Sequence, residues 1–336
     1  MRLVAAGSRS YKASHPLVGY FFGVALALNG GFEYREQIGP RSAGSTVLEH
    51  LAGHYRHSSR DTWLDRISAG QVLLDGRIAF PQSLLKSGQW LVWKRPPWDE
   101  PEVPLSFAVL YQDEELLAVA KPNGLPTVPA GGFMDHTLLT RVQRYCREAT
   151  PIHRLGRGTS GVVLFSRTPH ARSVLAGAWR NREVSKIYRT LVRGAPSSTS
   201  FSIDIPIGPV PHPRLGTLHA ASARGGSALS RVRVLEVRKP QGEEACSLLE
   251  VSIETGRPHQ IRIHLAAAGH PLVGDPLYES GGTFKDPQNA LPGDTGYFLH
   301  ALHLGFRHPA TGVPVEIECP PPPELRLSGS PGTFTP

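Results

Sequence analysis

Cysteine is scarce in this sequence. Three occur among 336 residues, Cys146, Cys246 and Cys319, and no two are spaced as C-x-x-C. An odd, scattered set argues against a disulfide framework or a cysteine zinc site and fits a reducing compartment. Long hydrophobic runs are missing as well. The most apolar early stretch, Pro16 to Leu28, is shorter than the roughly 20 residues a membrane span needs, so no membrane partner is expected. Asn29-Gly30-Gly31 after it is a poor signal-peptide cleavage site. The first fifteen residues hold Arg2, Arg9 and Lys12 without an acid, faintly like an organelle transit peptide. The expected compartment is the cytoplasm, with a plastid or mitochondrion as the alternative. Internal repeats are absent. So is acid over one long stretch: from Ala149 to Arg182 there is no Asp or Glu, while Arg154, Arg157, Arg167, Arg172, Arg180 and Arg182 are all there.

What the sequence does have is positive charge. A formal net charge of +8 makes an anionic partner plausible, nucleic acid first and an acidic membrane surface second. The plainer alternative is a soluble protein that is merely basic.

From Ser45 the pattern turns helical, with Val47, Leu48, Leu51 and Tyr55 recurring at helical spacing. Ser45 or Thr46 is placed to cap it, and Glu49 to complete a capping box. A second helix is predicted over Asp61 to Ala69, with Trp63, Leu64 and Ile67 inward and Gly70 at its end. Gln71 to Ala79 reads as a hairpin turning at Asp75-Gly76, and Leu91-Val92-Trp93 as another strand. Pro96 to Pro104 is proline-rich and acidic, a linker. Beyond it a hairpin is predicted over Phe107–Ala120 and helices over His136–Arg147 and His170–Arg180. Strands are predicted at Lys186–Val192, Ser230–Val237 and Cys246–Ile253, and a helix opening near Thr255 and ending at Gly269. Phe201 to Gly226 should be loop with short strands, and Gly281 to Gly296 a flexible insertion. Phe298–Phe306 and Val313–Ile317 close the sheet, and the proline-rich tail is expected to be disordered.

The most informative stretch is Ile152 to Arg167. Its polar front, His153 to Gly161, leads into Val162-Val163-Leu164-Phe165, an apolar run suited to a buried strand. A loop feeding a core strand holds side chains on a rigid support. Two rival chemistries are weak. His259, His264 and His270 with Asp275 could suggest a metal site, but five-residue spacing puts His259 and His264 on poorly matched helix faces. Ser160 lacks the G-x-S-x-G of a serine hydrolase. Neither a metal nor a cofactor is expected.

Several motifs then stand in order. They are His153-Arg154-Leu155-Gly156-Arg157-Gly158-Thr159-Ser160-Gly161, Lys186-Ile187-Tyr188 and Gly256-Arg257-Pro258-His259-Gln260-Ile261-Arg262-Ile263-His264. Gly269 to Asp275, Lys121-Pro122-Asn123-Gly124-Leu125 and Leu299-His300-Ala301 accompany them. Together, over about Leu105 to Pro322, they resemble the RluA-type family of RNA pseudouridine synthases. The helix–helix–hairpin unit resembles the S-four-type RNA-binding domain, through Trp63, Arg66, Ile67, Gly70, Val72, Asp75-Gly76 and Leu85-Lys86-Ser87-Gly88.

The resemblance implies an α/β (α+β) pseudouridine synthase fold with a mixed, mainly antiparallel central sheet. The expected organisation is an extension at 1–44, an RNA-binding domain at 45–95, a linker at 96–104, the synthase-like domain at 105–322 and a tail at 323–336. The implied reaction isomerises uridine to pseudouridine in tRNA or rRNA without cofactor or metal, in a protein expected to be monomeric. Tyr188 is implied to stack on the uracil, and Arg262 to pair with the family's catalytic aspartate. Arg154, Arg157, Thr159, Lys186, His259 and Gln260 are implied RNA contacts, joined by Arg56, Arg60 and Arg66 of the small domain. The aspartate's own position is Gly156. Asp135, Glu254 and Asp275 are the carboxylates that could substitute, Asp275 poorly because its place in the motif reads as structural. Arg262 is then expected to meet water, an anion or an RNA phosphate. Two readings follow: a synthase, or an RNA-binding protein on the same fold without the reaction.

Overall fold

The computed structural model describes residues 11–12, 19–20, 28–213, 215–239, 244–285 and 290–329. The basic first residues and most of Pro16–Leu28 lie outside these. The chain divides into two compact units, Val24–Glu100 and the remainder.

In the smaller unit the caps set the helix starts. Helix α1, Val47–His54, opens on a capping box in which the Thr46 hydroxyl accepts from the Glu49 amide at 3.2 Å and the Glu49 carboxylate accepts from the Thr46 amide at 3.0 Å. Helix α2, Arg60–Ser68, starts one residue before Asp61 because Ser59 caps it, accepting from the Thr62 amide. Trp63 and Ile67 of α2 are buried against Val47, Leu51, Val72 and Leu91. The hairpin Val72–Leu74 with Arg77–Ile78 turns at Asp75 (φ 48°) and Gly76 (φ 79°), and the Asp75 carboxylate accepts from the Trp90 amide. Trp90–Arg95 pairs with that hairpin on one side. On its other side lies a strand the sequence reading missed, Phe32–Gln37. None of its residues is buried, so it carries no alternation of core and surface to detect. The expected extension at 1–44 therefore supplies part of this unit.

The larger unit is built on a twelve-stranded sheet. Its main path runs Ser200–Ile203, Ser230–Arg238, Cys246–Ile253, Ser185–Arg193, Leu299–Arg307, Thr159–Ser166, Leu116–Lys121, Phe107–Gln112, Gly19–Tyr20. Pairing is antiparallel except between Thr159–Gly161 and Leu299–Ala301 and between Tyr11–Lys12 and Val315–Glu316. The mixed, mainly antiparallel expectation holds. One detail differs: Leu299–Arg307 does not close the sheet but lies in its middle, buried nearly throughout. Helices α3 (Leu138–Tyr145), α4 (Pro169–Arg180) and α5 (Gln260–Ala267) join the strands. Helix α5 starts five residues later than Thr255 because His259, at φ 56°, is left-handed.

The tail also departs from expectation over its described part. Pro323–Leu325 forms a short 3-10 helix with Leu325 1% exposed, and the Arg238 guanidinium donates to the Glu324 and Arg326 carbonyls. One buried leucine and a two-carbonyl clamp anchor a segment whose composition looked disordered.

Gly161 is where the site strand changes partners. Thr159–Gly161 runs parallel to Leu299–Ala301, and from Gly161 onward the strand runs antiparallel to Leu116–Lys121. Its φ is +112°, and a Cβ there would lie 2.2 Å from the Ala301 carbonyl oxygen. Only glycine fits. Gly161→Ala should cost on the order of 3 kcal/mol, from backbone strain plus overpacking; a denaturation midpoint equal to the parent's would contradict this close approach.

Candidate active site

The loop His153–Gly161 is fixed from beneath. The His153 imidazole accepts a hydrogen bond from the Leu164 amide through Nε2 at 3.0 Å and stacks on Trp179. Burial, with Lys186 nearby, pulls its pKa down to about 4, so the ring is neutral and can accept. The Thr127 hydroxyl donates to the Leu155 carbonyl and accepts from the Leu155 amide. Lys121, 2% exposed, donates to the carbonyls of Pro122, Leu125 and Arg157. Burial, then the Arg157 charge, brings its pKa to about 7. Ser160 donates to Nδ1 of His300, whose Nε2 donates to the Cys319 carbonyl, so His300 too is a neutral ring, its pKa lowered to about 4 by burial.

Sheet register brings a second motif beside this loop. Ala301 is the cross-strand partner of Gly161 on one side and of Tyr188 on the other. Tyr188 is half-buried, and burial pushes its phenol up to about 12. At neutral pH it is an uncharged ring, suited to stacking rather than to taking a proton.

Helix α5 brings the third. Arg262 is 2% exposed and forms a bidentate pair with Asp275, Nε to Oδ2 and Nη2 to Oδ1, both at 2.7 Å. Burial opposes the guanidinium charge, but the Asp275 bond and the neighbouring Tyr297 outweigh it and hold its pKa above the ordinary value. The guanidinium also lies 4.2 Å from the centre of the Tyr297 ring and 5.1 Å from that of Tyr278. This corrects the expectation that Arg262 faces water or an anion: its fork is filled by Asp275 of the same chain. Asp275 in turn is committed: both its oxygens bind Arg262, and Oδ1 also accepts the amides of Leu277 and Tyr278. Its role is structural, and Glu254 is held by Arg231.

The other expected site residues separate by exposure. Arg154 is exposed and Arg157 partly so, its guanidinium 5.3 Å from the Phe133 ring. Lys186 is buried and donates to the Glu254 carbonyl at 3.4 Å. Gln260, expected to face RNA, is enclosed instead: it binds Thr255, the Arg257 amide, the Leu229 carbonyl and Ser230. His259 donates through Nδ1 to the Tyr278 hydroxyl, which donates onward to the His219 carbonyl. Burial, then Arg262, lowers its pKa to about 3. Thr159 is buried, its hydroxyl 3.3 Å from that of Tyr297. His264 bonds Ser230 and the Ile205 carbonyl, while His270 meets the Arg193 carbonyl. Among the described residues no group of three metal-ligating side chains converges. In the smaller unit Arg56 and Arg60 are exposed, but Arg66 sits 4.6 and 4.3 Å from the ring centres of Trp63 and Trp93 and donates to Ser58.

Two residues of the site were not singled out from sequence. Lys121 sat in a motif with no role attached. Tyr297 follows an apparent insertion and belongs to no motif, so nothing in its neighbours marks it.

Residues 115–267 match the family model described as RNA pseudouridylate synthase. An uncharacterized RNA pseudouridine synthase of Synechocystis is 44% identical over 83% of this chain and 95% of its own length. RNA pseudouridine synthase 5 of Arabidopsis thaliana is 38% identical over 89% of this chain and 95% of its own. Ribosomal large subunit pseudouridine synthase D of Pseudomonas aeruginosa is 33% identical, over 84% and 91%. A solved human RNA pseudouridylate synthase domain containing 1 shares the fold, with a TM-score of 0.52 and 24% identity, over 68% of this chain and 89% of that one.

Proposed function

The chain belongs to the RluA-type RNA pseudouridine synthase family, and from that premise we propose that it isomerises uridine to pseudouridine in structured RNA, ribosomal RNA first. The observation that carries the reading is the convergence at Ala301. Strand register sets the motif loop and Tyr188 on either side of one residue, while Tyr297 links Thr159 to Arg262. Ribosomal RNA is favoured over tRNA by the relative named for the large subunit.

The target base must leave its stack, at a cost of a few kcal/mol, before its glycosidic bond can be reached. Tyr188 offers the flipped base a neutral ring. Arg154 and Arg157 line the way in for phosphates. In this reading the smaller unit is an S-four-type RNA-binding domain, with the exposed Arg56, Arg60 and Arg77 as its phosphate contacts. Arg66 is left out of that set because its guanidinium is committed to two tryptophans.

The test is direct. The protein, incubated with unmodified ribosomal RNA transcripts, should form pseudouridine and bind with an affinity that falls steeply as salt rises. Salt-sensitive binding with no pseudouridine would overturn the enzymatic reading. Tyr188→Ala, which removes the stacking ring, should weaken capture of the flipped base by about 1–3 kcal/mol, while Tyr188→Phe, which keeps the ring, should leave turnover near the parent's; a roughly tenfold loss in Tyr188→Phe would show that the hydroxyl takes part.

A further inference from the structure

Two glycines of the motif loop are glycine for a reason unrelated to backbone strain. Gly156 and Gly158 do not have left-handed φ, so other residues could adopt their conformations. What they lack is room. A Cβ on Gly158 would stand 2.8 Å from Cε1 and Cζ of the Tyr297 ring. A Cβ on Gly156 would stand 3.3 Å from the Tyr297 hydroxyl and 3.7 Å from the Thr159 hydroxyl. Both point at one tyrosine. Its ring fills the space over Gly158, and its oxygen lies where a side chain at the exposed position 156 would reach.

We propose that the Tyr297 hydroxyl works on the ribose in this chain, in the place that an acidic side chain at position 156 would hold. The inference rests on the isomerase reading above. Attack by an oxygen nucleophile is one route that breaks a glycosidic bond without an outside reagent, and tyrosine serves in that role in some glycoside chemistry. Among the described residues no carboxylate lies within 4 Å of a Cβ placed at Gly156, where the Tyr297 and Thr159 hydroxyls stand. None occurs in sequence from Ala149 to Arg182, Asp275 is buried in its pair with Arg262, and Glu254 is held by Arg231. Tyr297 instead lies under the Arg262 cation and touches Thr159. Nη1 of Arg262 is a buried donor with no hydrogen-bond partner among the described residues, free for a developing negative charge.

The step balances. The Tyr297 oxygen, in a residue only 2% exposed, bonds to C1′ as the C1′–N1 bond breaks, and its proton passes to N1 of the uracil, which leaves with the electron pair of that bond. The base turns and C5 bonds to C1′, which expels the tyrosine oxygen with its pair. That oxygen takes up the proton that C5 loses, and the product is an isomer of the reactant.

Tyr297→Phe keeps the ring over Gly158 and under Arg262 and removes only the oxygen. On ribosomal RNA transcripts it should lower kcat about 100-fold or more, with RNA affinity and melting temperature unchanged. Adding Gly156→Asp to Tyr297→Phe should restore turnover by returning an oxygen to the same place. A Tyr297→Phe enzyme as fast as the parent overturns the proposal and leaves the isomerase reading intact. So does a loss of turnover shared by RNA affinity or folding that Gly156→Asp does not repair, since that is what a packing role gives. A parent protein without turnover on any RNA overturns both.

Discussion

Asp275→Asn should destabilise the protein by about 3–5 kcal/mol, the range for removing one partner of a buried ion pair. The reason lies in how completely the pair is enclosed. The two side chains are 2% and 1% exposed, and both Arg262 nitrogens that reach Asp275 do so at 2.7 Å. An asparagine leaves the guanidinium charged, dry and facing an amide nitrogen that cannot accept. It also weakens the acceptor that fixes the amides of Leu277 and Tyr278. The companion variant separates charge from packing. Arg262→Met combined with Asp275→Asn removes the stranded cation and should recover much of the loss, because a buried pair replaced as a pair by neutral groups is often nearly neutral in stability. Urea denaturation of the three proteins measures it. An Asp275→Asn midpoint within experimental scatter of the parent's would mean that Arg262 finds another partner.

A second large effect should come from acid. His153, His259 and His300 are neutral in the fold, with pKa values drawn down to about 4, about 3 and about 4, chiefly by burial. In the unfolded chain each titrates near its ordinary value of about 6.5. Above that pH both states are neutral and the histidines add no pH dependence. Below it the unfolded chain takes up protons that the fold refuses, so stability falls as pH drops from about 6.5 toward the folded values. Three such groups give a slope of about 4 kcal/mol per pH unit. The melting temperature should therefore drop steeply between pH 6 and pH 4.5, well above the usual carboxylate range. A flat profile across that interval would show that these rings accept protons in the fold. That is difficult for His153, whose Nε2 is occupied as an acceptor by the Leu164 amide.

Much of this site was legible from sequence because its motifs are local. His153 to Gly161 runs into a strand whose residues are buried on both faces, and the change from polar loop to apolar run marks that junction. Helices α1 and α4 and the Asp75-Gly76 turn were legible for the same reason: caps, periodicity and turn chemistry act over a few residues. The strand Phe32–Gln37 was not, since with no buried residue it is held by backbone pairing to Trp90–Arg95, and pairing leaves no mark on composition. The packed tail was hidden similarly: Arg238, more than eighty residues upstream, supplies the bonds that hold it.

The sequence by itself determined the family, the order of the motifs and a glycine at position 156. Tertiary structure alone decided what surrounds that glycine. Arg262 could have faced Gly156, water or another residue, and distance in the chain does not choose among them. Packing chose Asp275 as its partner and laid the Tyr297 ring across Gly158, bringing a hydroxyl to position 156 from a residue 141 positions later in the chain. Such a contact is made by the sheet, through the parallel pairing that sets Leu299–Ala301 against Thr159–Gly161, and no local pattern encodes it.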